Sequence, residues 1–329
     1  MKEYSISIDL MGGDQGPLTS VPAVKQALSY ISGTNFNLYG DERIVLDLLK
    51  THKLFNNSRV NFYHCEGVIT NEDNVLHVLR KGKNSSLWKA IESVAKNDSN
   101  GVVTSGSTAA LVSISNYLLG NISNVHRSAL VQILPTLNKK GTVFLDLGAN
   151  MQTDARMLLQ YAIMGRILSN KILGIENPRI SLLNVGVEES KGTKLVQEAS
   201  SLISSDKNNN FVGYVEGNDI FGNKTDVIVT DGFTGNITLK TAEGLYNMMQ
   251  NKISDGSKTS VLLSLIKYFY KRKIGFMQPD KFNGACLLGT NGVVVKSHGG
   301  ANNEAFIAAI KQAKDQIEVN LPKLISDGI

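Results

Sequence analysis

The sequence predicts an α/β fold on a mainly parallel sheet, and three observations carry that expectation. A β-branched or apolar run, a turn of Gly, Ser, Asn or Asp, and a helical stretch recur in that order, as parallel α/β structure requires. The 329 residues are 42% hydrophobic with 30 glycines, a globular balance in a chain long enough to bury a sizeable core. No self-similarity of solenoid period competes with this reading. Residues 1–329 are therefore expected to form one α/β domain.

Taken in order, Tyr4-Ser5-Ile6-Ser7-Ile8 alternates and predicts a strand running into "DLMGGDQGP" (9–17), where Asp9 and Asp14 bracket the adjacent Gly12 and Gly13. Gly101–Thr104 predicts a strand, "SGST" (105–108) its turn and 109–119 its helix. Thr142–Leu145, "DLGAN" (146–150) and 157–168 repeat the unit, as do 180–185, "GVEESKGTK" (186–194) and a helix through Ala199. The strand at 226–230 leads into "DGFTGN" (231–236) and another helix, and "GTNGVVVKSHGGANNEAF" (289–306) again reads strand, turn, helix. The polar stretch "SSDKNNN" (204–210) reads as a loop. In an open α/β sheet the loops after the strands' carboxyl ends share the rim where ligands bind, so these turns are expected on one edge.

Such turns hold anions readily, because they present free N–H groups and the positive end of a helix dipole. In "SGST", Gly106 lets the backbone approach closely while Ser105, Ser107 and Thr108 add hydroxyl donors, though a turn of this kind is more often a plain helix cap. Asp231 and Gly232 open the "DGFTGN" turn with Asn236 near the helix start, and the same two readings apply. Lys191 is either a solvated lysine paired with Glu188 or Glu189 at little gain, or a cation aimed at an anion. Lys296 and His298 end a strand beside Gly299-Gly300, where His298 is either structural or faces an anion.

The segment 257–276 departs from the pattern. Ser260, Ser264, Lys267 and Lys271 make one narrow polar stripe on an otherwise apolar helix that carries Leu262, Leu265, Ile266 and Phe269. It is too short and too charged to span a bilayer. Within a helical protrusion at 243–280 it reads either as a membrane-surface helix, with Lys271, Arg272 and Lys273 on lipid phosphates, or as a dimer contact.

Composition narrows the chemistry. Cys65 and Cys286 are too few for a disulfide framework and are not spaced as a metal site, so neither metal nor cofactor is expected. The net charge of +5 mixes 34 basic with 29 acidic residues, which does not mark a nucleic-acid binder and favours acidic partners. Met1-Lys2-Glu3 carries both signs before an alternating strand, so no leader is read and a cytoplasmic location is expected. No GxGxxG follows the first strand, and there is no P-loop, HExxH or GxSxG. Spacing alone yields an anion-binding α/β enzyme and no named reaction.

The stretches "DLMGGDQGP", "SGSTAA", "LDLGAN", "LLNVGVEESKGT", "YVEGNDIF", "DVIVTDGFTGNITLKTAEG" and "GACLLGTNGVVVKSHGGANNEAFIAAIKQA" resemble, in order and spacing, the bacterial phosphate acyltransferases of phospholipid synthesis. The likeness runs from about Tyr4 to Ala313. It implies a Rossmann-like α/β/α sandwich related to phosphotransacetylases and the isopropylmalate dehydrogenase group. It also implies an activity: a fatty acyl group leaves the thioester of acyl carrier protein for inorganic phosphate, and a membrane acyltransferase then passes it to glycerol 3-phosphate. A homodimer at the membrane periphery is the implied assembly.

Carried over residue by residue, the resemblance makes Lys191 the cation for phosphate or the developing oxyanion. Asn236 becomes an amide donor to the same centre, and His298 a second donor or the acid for the departing thiolate. Gly12, Gly13, Ser105, Gly106, Ser107, Thr108, Asp231 and Gly232 would line the phosphate and substrate site. Asp9 and Asp14 would repel phosphate, so they are read as accepting loop N–H groups or orienting Lys191 or His298. Some positions depart from the family pattern: Ser105, Ser107 and Ala109 stand where it reads AGNTGA, Cys286 replaces a small residue, and 152–156 diverges. Two other readings stay open. One is a phosphotransacetylase-like enzyme using acyl-CoA; the other is a catalytically silent membrane-binding scaffold. A dehydrogenase is disfavoured by the missing nicotinamide fingerprint.

Overall fold

Eleven strands form one sheet in the computed structural model, which describes residues 3–70, 72–136, 141–255 and 283–329. In chain order the main elements are β1 (Tyr4–Asp9), α1 (Pro17–Tyr30), β2 (Thr34–Gly40), α2 (Glu42–Thr51), β3 (Val60–His64), α3 (Val75–Lys81), α4 (Ser86–Ala95), β4 (Gly101–Thr104) and α5 (Thr108–Leu118). There follow β5 (Ala129–Leu134), β6 (Thr142–Leu145), α6 (Ala155–Leu173), β7 (Arg179–Leu183), α7 (Lys194–Ser205), β8 (Asn210–Val215), β9 (Val227–Val229) and α8 (Gly232–Asp255). The chain ends with β10 (Ala285–Leu288), β11 (Val293–Lys296), α9 (Asn303–Glu318) and α10 (Leu321–Gly328).

Spatial order is β3-β2-β1-β4-β11-β10-β5-β6-β9-β7-β8. Every pairing is parallel except those of β10 with β11, β10 with β5 and β5 with β6. Following these directions across the sheet, the run β3 to β11 points one way and the run β6 to β8 the other. The carboxyl ends of the two runs therefore lie on opposite edges, and the expectation of one shared rim is overturned. Local sequence patterns could not show this, because the reversal comes from β10 and β5 inserted between two parallel halves.

Side chains alternate across the sheet. On one face Ile8, Val103, Val131, Val143 and Val227 pack with Val24 of α1, Tyr161 of α6 and Phe306 of α9 in the largest core. The opposite face carries two smaller cores. Val102, Val294 and Leu287 pack under Trp88 of α4 and Leu111 of α5. Leu130, Phe144 and Ile228 pack with Leu239 of α8. Leu287 pairs with Leu130, so the two cores adjoin on that face. Ala149 packs against both. The result is three layers with α5 and α8 on the same side of the sheet.

The recurring units are found close to their expected places, with shifts at their ends. "DGFTGN" is mostly helix, because α8 begins at Gly232, and "SSDKNNN" starts inside α7. Of the expected protrusion at 243–280, Glu243–Asp255 continue α8. Residues 256–282 lie outside the described residues, and with them Leu262, Leu265, Ile266, Phe269, Lys271, Arg272 and Lys273. No helix among the described residues is long and apolar enough to cross a membrane.

Candidate active site

Two groups of turns form, one at the ends of β1, β4 and β11 and one at the ends of β6 and β9. In the first, the buried Asp9 carboxylate accepts the Thr104 hydroxyl at 2.7 Å and the Met11 N–H at 3.2 Å. Thr104 Oγ1 in turn accepts the Gly106 N–H at 2.8 Å. Burial pushes the Asp9 carboxyl above its ordinary range, against the pull of the Ser86 and Thr104 hydroxyls. Gly12 lies flat on this chain of bonds: a Cβ there would sit 2.5 Å from the Gly106 nitrogen and 2.8 Å from Asp9 Oδ2. Gly13 adopts φ +88°, beside the Ser105 side chain and the Gly299 carbonyl.

The same edge holds the His298 turn. The Asp14 N–H donates to the Gly299 carbonyl at 2.9 Å, and Ser297 N–H to the Thr104 carbonyl at 2.7 Å. Asn283 accepts the His298 N–H at 2.9 Å and donates to Ser297 and to the Ala305 carbonyl. The Gly300 N–H donates to His298 Nδ1 at 3.1 Å, leaving Nε2 3.9 Å from Glu243 on α8. Ser105 and Ser107 are buried, and Ser107 precedes α5 without a side-chain cap bond. The α5 start is thus held in place by Gly106 and Thr104.

In the second group Asp146 is fully buried and gathers N–H donors. Oδ1 accepts from Leu130, Gly148 and Ala149 at 2.9, 3.2 and 3.1 Å. Oδ2 accepts from the backbone and side chain of Asn150 at 2.9 and 3.0 Å. Burial pushes this carboxyl up while those donors pull it down. Asn150 Nδ2 also reaches the Ser128 carbonyl and the Tyr161 hydroxyl.

Helix α8 starts against this knot. A Cβ on Gly232 or Gly235 would collide with Asn150 or Asp146 backbone oxygens. The Asp231 carboxylate accepts the Thr234 N–H at 2.9 Å and its hydroxyl at 2.7 Å, so it serves as the cap of α8. Asn236, in the first turn, packs its Cβ against Gly148, whose φ is +115°. Lys191 is exposed on the loop after β7; its N–H donates to the Glu188 carbonyl and its carbonyl accepts from Asn184. Since β7 and β9 are neighbours and parallel, Lys191 and Asn236 leave the sheet on the same edge. His298 leaves on the opposite one.

One element reaches both groups. Asn236 at the start of α8 meets the Gly148 turn, and Glu243, two turns or about 10 Å further along, approaches His298. The sequence reading assigned no role to Thr104, Asp146, Asn150, Asn283 or Glu243. The visible signal was an acid at a strand end followed by glycines, which occurs both in "DLMGG" and in "DLGAN".

Residues 4–324 match a protein family described as "Fatty acid synthesis protein". Over its full length the chain is 42% identical to the phosphate acyltransferase of Aeromonas salmonicida (strain A449), of which it covers 97%. The chain belongs to this family. As its members are acyltransferases, it is an acyltransferase. A second relative, the phosphate acyltransferase of Pseudoalteromonas atlantica (strain T6c / ATCC BAA-1087), is 39% identical over 98% of its length. In fold the chain is similar to a phosphotransacetylase from Streptococcus pyogenes, at 16% identity, a TM-score of 0.63, and coverage of 96% of this chain and 94% of that one. The EutD phosphotransacetylase from Staphylococcus aureus aligns at 18% identity and a TM-score of 0.59, covering 95% and 94%. The α/β class and the fold relationship to phosphotransacetylases expected from the sequence both hold.

Proposed function

We propose that the protein transfers a long-chain fatty acyl group from the thioester of acyl carrier protein to inorganic phosphate, giving an acyl phosphate for phospholipid synthesis. The observation that carries this reading is the full-length match to phosphate acyltransferases. Its turns suit the chemistry: a phosphate oxygen attacks the thioester carbonyl, the carbon–sulfur bond breaks, and the thiolate departs with a proton. Phosphate supplies its own nucleophile, so the protein needs cations and N–H donors rather than a serine or cysteine. Both cysteines are buried, and burial pushes Cys65 up to about 11 and Cys286 to about 12, which argues against a thiolate nucleophile.

In this reading Lys191 neutralises phosphate or the oxyanion, Asn236 donates its amide, and His298 protonates the thiolate. Purified protein mixed with phosphate and either palmitoyl-carrier or palmitoyl-CoA tests the donor, with acyl phosphate read by mass spectrometry. Product from the carrier supports the proposal. Preference for palmitoyl-CoA favours the phosphotransacetylase-like reading, and no product from either leaves the silent scaffold.

Lys191→Ala is expected to lower acyl-phosphate formation at least tenfold with an unchanged melting curve, because the exposed side chain makes little contribution to folding. A folded variant of near-normal rate removes Lys191 from the mechanism. A homodimer that touches the membrane and hands its product to a glycerol-3-phosphate acyltransferase completes the proposal. Leu265→Glu is expected to abolish flotation with anionic vesicles while the dimer mass persists in light scattering. Loss of the dimer instead assigns 257–276 to the subunit contact.

A further inference from the structure

Lys296 closes β11 opposite Thr104 of β4 and Ala285 of β10, so its side chain projects from the sheet face that carries α5 and α8. It is partly buried, and its ammonium donates to the Ser297 carbonyl at 3.0 Å. No carboxylate among the described residues lies within ion-pair distance of it. The groups whose charges reach it are Glu243 and Lys240 on α8 and Asp14 on the loop after β1. His298, two residues away on the same turn, approaches Glu243.

A half-buried ammonium with no ion-pair partner among the described residues is unfavourable for folding, and cores tolerate one where a ligand uses it. The surroundings suit an anion. Beside Lys296 lie the buried turn of Ser105, Gly106 and Ser107, held by the Asp9–Thr104 bonds, and the N-terminus of α5, whose dipole favours negative charge.

Resting on the acyl-transfer reading above, we infer that Lys296 is a further substrate-binding lysine, which contacts the phosphate between the α5 start and α8. This phosphate is held from the β4 and β11 side, by a cation on a strand end rather than on a loop. Glu243 and Asp14 favour the charged form of the ammonium, and Glu243 also lies 3.9 Å from His298 Nε2.

Phosphate held by Lys296 should bind in a pH-dependent way. Burial pushes the Lys296 ammonium down to about 8, with Lys240 adding to the fall and Glu243 and Asp14 opposing it. Its charge is complete well below that value and lost as pH rises through it. Phosphate binding is therefore expected to weaken on the alkaline side, although phosphate itself shifts there towards its dianion.

The test is calorimetric titration with inorganic phosphate, which needs no acyl donor, on the wild type and on Lys296→Met and Lys296→Arg at pH 7 and pH 9. Expected at pH 7 is a roughly ten- to hundredfold weaker dissociation constant for Lys296→Met, the usual weight of a charge-assisted contact. Expected also are binding by Lys296→Arg that persists at pH 9 and a Lys296→Met melting temperature at or above wild type. Equal phosphate affinity in wild type and Lys296→Met, or no phosphate binding by wild type, overturns the inference. So does a Lys296→Met variant that melts early and binds normally, since the lysine is then structural. Phosphate binding that depends on Lys296 without acyl-phosphate formation from either donor refutes the acyl-transfer reading and leaves the phosphate site standing.

Discussion

Asp146→Ala is expected to cost about 4 kcal/mol of folding stability, measured as a fall in the urea midpoint at an unchanged slope. The carboxylate is fully buried and accepts backbone N–H groups from Leu130, Gly148, Ala149 and Asn150 as well as the Asn150 amide. Alanine leaves four backbone donors without their acceptor, that of Leu130 buried and those of Gly148, Ala149 and Asn150 partly buried, and a buried one is worth on the order of 1–3 kcal/mol unless water enters. Asp146→Asn keeps the shape but offers one acceptor oxygen in place of two, so an intermediate loss of about 2 kcal/mol is expected. The damage should spread to α8, since Gly232 and Gly235 pack directly on this loop. A loss below 1 kcal/mol for alanine shows that the bonds are replaced by solvent and that the turn is not an anchor.

The strands and glycine turns around this anchor were legible in the sequence, but not the role of Asp146 or the direction of the strands. β-branched runs such as Gly101–Thr104 and Thr142–Leu145 announce buried parallel strands, because residues covered on both faces need no alternation. Glycines after acids announce turns where backbones cross closely. The shared rim failed because β10 and β5 are short apolar strands like any other, and only their pairing reveals that they reverse the second half of the sheet. The structure adds what the sequence did not show for Asp231: at the start of an anion-type turn, its carboxylate accepts the Thr234 N–H and hydroxyl. Lys296 was visible at its strand end, but nothing in the sequence distinguishes a half-buried ammonium from a solvated one. That difference depends on α8, which begins 64 residues earlier, at Gly232, and folds back over the sheet.

Asn236→Ala is expected to reduce kcat by roughly a hundred- to a thousandfold, the weight of one preorganised donor to a developing oxyanion. Alanine keeps the Cβ that packs on Gly148, so the start of α8 should be preserved and the melting curve unchanged. What disappears is the amide, at the positive end of a helix of 24 residues, where a donor adds to the dipole. Asn236→Asp, of the same shape, substitutes an acceptor with negative charge and should be at least as inactive. Phosphate affinity separates this residue from Lys296. An oxyanion donor acts in the transition state, so Asn236→Ala should bind inorganic phosphate as wild type does while kcat collapses. Lys296→Met should weaken phosphate binding first. If Asn236→Ala loses phosphate affinity and keeps kcat at saturation, the amide holds the ground-state anion, and the oxyanion must be stabilised from the turn that opens α5 instead.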